Sequence, residues 1–157
     1  MRAGYWPLTT LRDIVALMVA TLILLAASLA ANALASVPFT TISHSEQSGV
    51  EDARQVVVRT AEEWKALWKE HAPGRPMPAV DFTKSMIMGV FLGSRNTAGY
   101  RVTITGIERD GGTLAVTYRE ARPRPGEMLA QVLTFPHHLV RVERIEGEVK
   151  FTHASSP

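Results

Sequence analysis

The chain has 157 residues, room for one domain of ordinary size, and its 46% hydrophobic and 20% charged composition excludes a disordered, solvating chain. It contains no cysteine, which excludes disulfides, thiolate metal sites and lipid attachment through a lipobox. The pI near 9.2 does not point to nucleic acid. Without Arg2, Arg12 and Asp13 the remainder carries 15 basic against 14 acidic residues, and the local cluster of Arg119, Arg122 and Arg124 has neither a helix to gather it nor interleaved aromatics.

The first 35 residues stand apart. Arg2 and Arg12 precede an uncharged stretch from Ile14 to Ala35, whose apolar core Ile14 to Ala27 ends in Ala33-Leu34-Ala35. That is the three-part layout of a secretory signal with an A-x-A cleavage site. The apolar stretch is also long enough to span a bilayer as an uncleaved anchor, with the arginines before it staying cytoplasmic. The small residues near its end favour cleavage. Either way the rest is expected to be exported, periplasmic or extracellular, with membrane contact only through residues 14–35 if the segment is retained. Residues 36–41 read as a linker, 42–152 as the exported domain and 153–157 as a disordered tail.

From Ile42 to Val50 a weak strand is expected, and Gln55 to Arg59 reads as a clear one. Thr60-Ala61-Glu62-Glu63 matches a capping box, and Trp64, Leu67, Trp68 and His71 follow at i, i+3, i+4 and i+7, one face of a helix. Ala72-Pro73-Gly74 ends it. Pro76, Pro78 and Asp81 mark a connecting loop. Met86 to Leu92 is apolar on both alternating sets, as in a strand covered on both faces, and the helix is expected to cover one of them. Tyr100 to Ile107 and Leu114 to Arg119 alternate around an Asp110-Gly111-Gly112 turn and read as a hairpin. Pro123 to Gly126 reads as an exposed loop, Met128 to Phe135 and Leu139 to Arg144 as strands, and Val149 to Phe151 as a terminal extended piece. The expected fold is α+β: a mainly antiparallel sheet of six to eight strands with one amphipathic helix packed on a face, preceded by the hydrophobic amino-terminal segment.

No catalytic or metal-ligating set emerges from spacing. His137 and His138 are adjacent and point to opposite faces of a strand; His44, His71 and His153 lie in different elements without H-x-H or HExxH spacing. No serine sits in a nucleophile motif, and nothing in the spacing of Asp81 and Glu120 suggests a paired-carboxylate mechanism. Trp64 and Trp68 read as helix–sheet core rather than a stacking platform. The expectation is a non-enzyme without metal or cofactor. The richest candidate is the polar stretch Gly93 to Tyr100, read as a long hairpin loop held at both ends by a rigid sheet, where binding residues concentrate. Gly93 and Gly99 suit positive φ or close packing at a corner. Arg95, Asn96, Thr97, Gly99 and Tyr100 would form a partner-binding surface, supported by Arg124 in the Pro123–Gly126 loop.

Four segments carry a family resemblance: Trp64-Lys65-Ala66-Leu67-Trp68, Val80-Asp81-Phe82 ahead of an apolar strand, Gly93 to Tyr100, and Gln131-Val132-Leu133-Thr134-Phe135-Pro136 followed by Leu139-Val140. Their order and spacing resemble the PrcB C-terminal domain family, with its W-x-x-L-W, P-x-V-D-F, G-x-x-x-T-G-G-Y and late T-x-P pattern, across roughly residues 42–152. Ala98 departs from the Gly-Gly pair, and the lipobox cysteine of some members is missing. The resemblance implies a non-catalytic exported accessory domain whose partner is a protein, an exported protease among the candidates, and which assists assembly or stability of a protease complex. Asn96 to Tyr100 is also similar to the N-P-T-T-G-Y/F loop of chagasin-like cysteine-protease inhibitors. That alternative implies a wedge into an enzyme cleft, but those inhibitors are all-β and the capped Trp64 helix argues against their fold.

Overall fold

The computed structural model describes residues 35–154. The expected signal or anchor at 1–35 falls almost wholly outside this range, as do the last three residues of the expected tail. Among the described residues no helix is long and apolar enough to cross a membrane.

Among the described residues eight strands and one helix follow in the order β1 (Ala35–Ser36), β2 (Phe39–Ser45), β3 (Arg54–Val58), α1 (Ala61–His71), β4 (Ser85–Phe91), β5 (Arg101–Asp110), β6 (Thr113–Ala121), β7 (His137–Glu143) and β8 (Glu148–His153). They form two four-stranded sheets, not the single sheet expected: β1-β5-β6-β8 and β2-β7-β4-β3. All pairings are antiparallel except β6–β8. Alternation along a strand reports which face is buried but not which strand lies beside it, so the division into two sheets is invisible locally.

β4 explains the layering. Its Met86, Met88 and Val90 join Val102, Ile104, Ile107, Leu114, Val116, Val140 and Val142 in a core between the sheets. The alternate residues Ile87 and Phe91 join Leu139, Val58 and the helix residues Trp64, Leu67 and Trp68 in a second core on the other side. The second sheet is therefore the middle of three layers, and the strand apolar on both alternating sets runs through it, as expected. Helix α1 starts where the capping box requires. Thr60 accepts from the Glu63 N–H and Glu63 from the Thr60 N–H; such a cap is worth about 1 kcal/mol. Trp64 and Trp68 are core residues, as read; their indole N–H groups donate to the carbonyls of Pro78 and Arg75 at 3.0 and 3.1 Å, so neither buried polar edge is left unpaired.

Three local expectations are corrected. Residues 36–41 do not form a free linker: Ala35 and Ser36 pair with β5, and Phe39 to Thr41 pair with β7, so the chain crosses from one sheet to the other at Val37-Pro38. The Gly93–Tyr100 stretch is no hairpin loop, because β4 and β5 belong to different sheets. It is a crossover between layers. Met128 to Phe135 is not a strand: its sole ladder contact is a bridge from Thr134 to Arg95. Gly93 bends the facing chain away, and Pro136 lacks the N–H a ladder would need there.

Candidate functional site

Two regions bring chemistry-bearing residues together. The first is inside the layers. The β2–β7 register sets His44 opposite His138 and Ser45 opposite His137, and the last helical residue, His71, reaches His137. The rings of His44 and His138 stack at 4.3 Å, and those of His71 and His137 meet edge-on at 4.3 Å. His137 and His138 do face opposite sides, as alternation demands. What sequence spacing missed is that each finds a histidine from a distant element. Only the fold joins residues separated by 66 and 94 positions.

Hydrogen bonding fixes the protons on these rings. The Ile104 N–H donates to His138 Nδ1 at 2.8 Å, so that nitrogen is bare and Nε2–H is left to donate to Thr41 Oγ1 at 2.9 Å. His44 Nε2 donates to the Val102 carbonyl at 2.8 Å. The pair thus satisfies two backbone groups of β5 where no strand lies alongside. On the other face the Val50 N–H donates to Ser48 Oγ at 3.0 Å, leaving the Ser48 hydroxyl proton for His71 Nδ1 at 2.9 Å. His71 Nε2–H then faces Ser43 Oγ at 3.4 Å, and Ser43 donates to His137 Nε2 at 2.7 Å.

Ser43 and His137 therefore have the separation of a nucleophile and its base, a contact that no local motif announces. The remaining features point elsewhere. His137 is 1% exposed, and burial, reinforced by His71, pushes its pKa down to about 3, far too low for a base working near neutrality. Its Nδ1 is buried without a hydrogen-bond partner; the Phe135 backbone pulls the pKa upward but does not reach that nitrogen in hydrogen-bond geometry. Among the described residues no carboxylate orients the ring. Burial followed by His44 lowers His138 to about 4, and burial followed by Arg75 lowers His71. All three buried rings are neutral at pH 7 and act as polar staples between layers.

The second region is the crossover and the segment 122–136, here called the strap. Gly93 (φ 73°) starts the crossover, and a Cβ there would lie 2.7 Å from the Ala53 nitrogen and 2.8 Å from the Glu51 carbonyl oxygen. Only glycine allows this approach. The β4–β7 ladder then continues irregularly. Leu92 N–H donates to Pro136 O at 2.9 Å, Arg95 and Thr134 exchange backbone bonds at 2.8 and 2.9 Å, and Ala98 N–H donates to Ala130 O at 3.0 Å. Thr134 is 1% exposed and its hydroxyl donates to the Thr97 carbonyl at 3.1 Å. Gly99 (φ 92°) lies under the side chains of Leu129 and Pro123.

The sequence-selected residues accordingly have unequal freedom. Arg95 donates to the carbonyls of Leu92 and Ser94 at 2.7 and 3.0 Å, stands 5.5 Å from the Tyr100 ring centroid, and approaches the Glu120 carboxylate at 3.8 Å. Thr97 and Gly99 hold the strap. Asn96 and Arg124 are exposed, and the Arg124 N–H donates to Glu127 at 3.0 Å. Sequence reading missed the strap's own side chains. Met128, Val132 and Leu133 are 98%, 49% and 57% exposed, and the described residues contain one other large hydrophobic in that state, Met77. Three exposed apolar side chains on one anchored segment have the composition of a docking surface.

Residues 86–143 match the family model described as PrcB C-terminal. No curated protein and no solved structure matches the chain. The matched stretch runs from Met86 in β4 to the end of β7 and contains the crossover and the whole strap. The tryptophan and P-x-V-D-F segments lie ahead of it and have structural work: Val80 and Phe82 pack on the helix-side core. Asp81 accepts from the Thr83 hydroxyl and N–H, which lowers its carboxyl below the usual range. Glu120 instead bonds Arg122 at 3.1 Å, so the two carboxylates serve different loops.

Proposed function

We propose that this chain is a non-catalytic accessory domain of an exported protease complex, docking a protein partner through the Arg95–Tyr100 crossover and the strap. The observation that carries this reading is the strap itself. Met128, Val132 and Leu133 are held exposed by a backbone anchored at Arg95, Ala98 and Thr134, within the residues that match the family. Preorganised apolar anchors lower the ordering cost of association, and the exposed Asn96 and Arg124 supply a polar rim. The low basicity of His137 and its unoriented ring support a role without catalysis.

The cysteine-protease inhibitor alternative has less support, because Thr97 and Ala98, the centre of the required wedge, are engaged with the strap and half-buried. The test is a photo-crosslinking residue placed at Met128 in the full chain, expressed in its source cells. The expected result is a crosslink to an exported protease or its direct associate, lost in Val132→Asp/Leu133→Asp with an unchanged melting temperature. Crosslinks that contain no such protein would overturn the proposal, as would inhibition of papain-type activity by the pure domain.

A further inference from the structure

Beyond docking at the strap, we infer that the open flank of the two sheets binds an extended peptide segment by adding it to the edge of β3 and taking one of its acidic side chains between the sheets. One flank of the sandwich is closed by the chain passing from β1 to β2. The opposite flank ends in β3 on one sheet and β8 on the other. Apart from its pairing with β4, β3 makes no backbone hydrogen bond to any described residue. An unpaired edge of five residues is a template for another strand.

A groove of about 280 Å³ opens beside it, lined by Gln55, Leu92, Arg95, Tyr118, Glu120 and His153, with Arg122 at its rim. The inner stripe of β6 explains the chemistry. Leu114 and Val116 lie in the core between the sheets, and the next residues on that face are Tyr118 and Glu120, so the interior turns polar at its mouth. β8 stops opposite Tyr118, leaving Glu120 without a neighbouring strand on that side among the described residues. The Glu120 side chain is only 12% exposed and is shared by two cations, Arg122 Nε at 3.1 Å and Arg95 Nη2 at 3.8 Å. Arg54 belongs to a separate pair, with Glu70 on the helix at 2.6 Å.

One carboxylate facing two guanidiniums leaves a positive charge unbalanced, and both terminal nitrogens of Arg122 lack a protein acceptor among the described residues. A bound strand supplies the missing charge in the right direction. Side chains alternate across a sheet, and Gln55 shows which face of β3 opens on the groove: its amide donates to the Tyr118 hydroxyl at 3.3 Å. Every second residue of a strand added to β3 would point the same way, so an Asp or Glu there meets Arg95 and Arg122. The surplus is a single charge, which selects one acidic residue flanked by β-formers rather than an acidic run.

The probe is a fluorescein-labelled Thr-Val octapeptide with one central Glu and an amidated carboxyl end, titrated into the full chain by anisotropy. Saturable binding is expected. It should weaken about tenfold or more when Glu is replaced by Gln or when Arg122→Ala is used, the worth of a charge-assisted hydrogen bond, and N-methylation of alternate peptide nitrogens should abolish it. Met128→Asp should leave it unchanged, which separates this site from strap docking. In ¹⁵N spectra the Arg95 and Arg122 Nε–H signals should shift with the peptide. No binding up to millimolar peptide, equal binding of the Glu and Gln peptides, binding that requires a free carboxyl terminus, or shifts confined to the strap would each overturn the inference.

Discussion

Two regions of the molecule invert the usual placement of polar and apolar groups. Between the layers lie three buried imidazoles, His71, His137 and His138, and on the surface stand the apolar side chains of Met128, Val132 and Leu133. Inside, nearly every polar atom is used: His138 serves Ile104 and Thr41, while His71 is bonded through Ser48 and Ser43. Outside, the strap's backbone is anchored while those three side chains are left free. A constellation that resembles chemistry is consumed by architecture, and a segment that resembles a strand leaves its apolar side chains in solvent. Satisfied groups hold a fold together; what the fold holds without using is the better guide to function.

Acid should break the comparison most strongly. An unfolded histidine titrates near 6.5, whereas His137 and His138 in the fold stand at about 3 and about 4. Below pH 6.5 the unfolded chain binds more protons, so their contribution is fully present above 6.5 and is lost as pH falls toward 4. The expected loss of unfolding free energy is on the order of 3–6 kcal/mol from this pair, read by urea titration at stepped pH. His138→Gln, whose amide oxygen can still accept from Ile104, should flatten the dependence; an unchanged slope would remove His138 from the account.

Trp64→Ala, which empties the helix-side core, should cost roughly 3–5 kcal/mol and leave the core between the sheets packed. The Val102 and Ile104 methyl resonances would then stay near their native positions. Thr134→Val removes the hydroxyl anchor of the strap and leaves the Thr97 carbonyl unpaired by it. A loss of about 1 kcal/mol is expected, together with faster amide exchange at Ala98 and Thr134. Smallest of all, Met128→Ser should change stability by no more than about 0.5 kcal/mol while weakening partner capture. A large stability loss there would make Met128 a core residue and erase the contrast between the two regions.

How much of this was legible in the sequence depended on the range of the interactions. The helix was legible because its signals are local: Thr60 and Glu63 cap each other three residues apart, and Trp64, Leu67, Trp68 and His71 share one face. The two-faced burial of β4 was legible from Met86 to Phe91 for the same reason. Sheet membership was not, since the β2 partner lies about a hundred residues away. The histidine pairs were hidden by the same distance. The strap was misread because extended backbone with apolar residues looks like a strand, although its pattern carried a warning. Leu129 and Phe135 are partly covered while Leu133, on the same alternate set, is exposed, so a single buried face never existed. The crossover residues Arg95 to Gly99 were singled out as a binding surface, and the fold engages Arg95, Thr97, Ala98 and Gly99 with the strap.

The position of β7 has a consequence for the chain as it is made. β7 lies between β2 and β4, pairing Phe39 with Val142 on one side and Met86 with Val142 on the other. The β3–β4 and β5–β6 pairs draw on nearer sequence, whereas the strand that joins the halves of the second sheet is supplied almost last. Closing so long a loop is entropically slow. A nascent chain that has not yet delivered His137 therefore presents Met86 to Phe91, apolar on both faces, as a bare edge. That interval is when this protein is most exposed to misassociation.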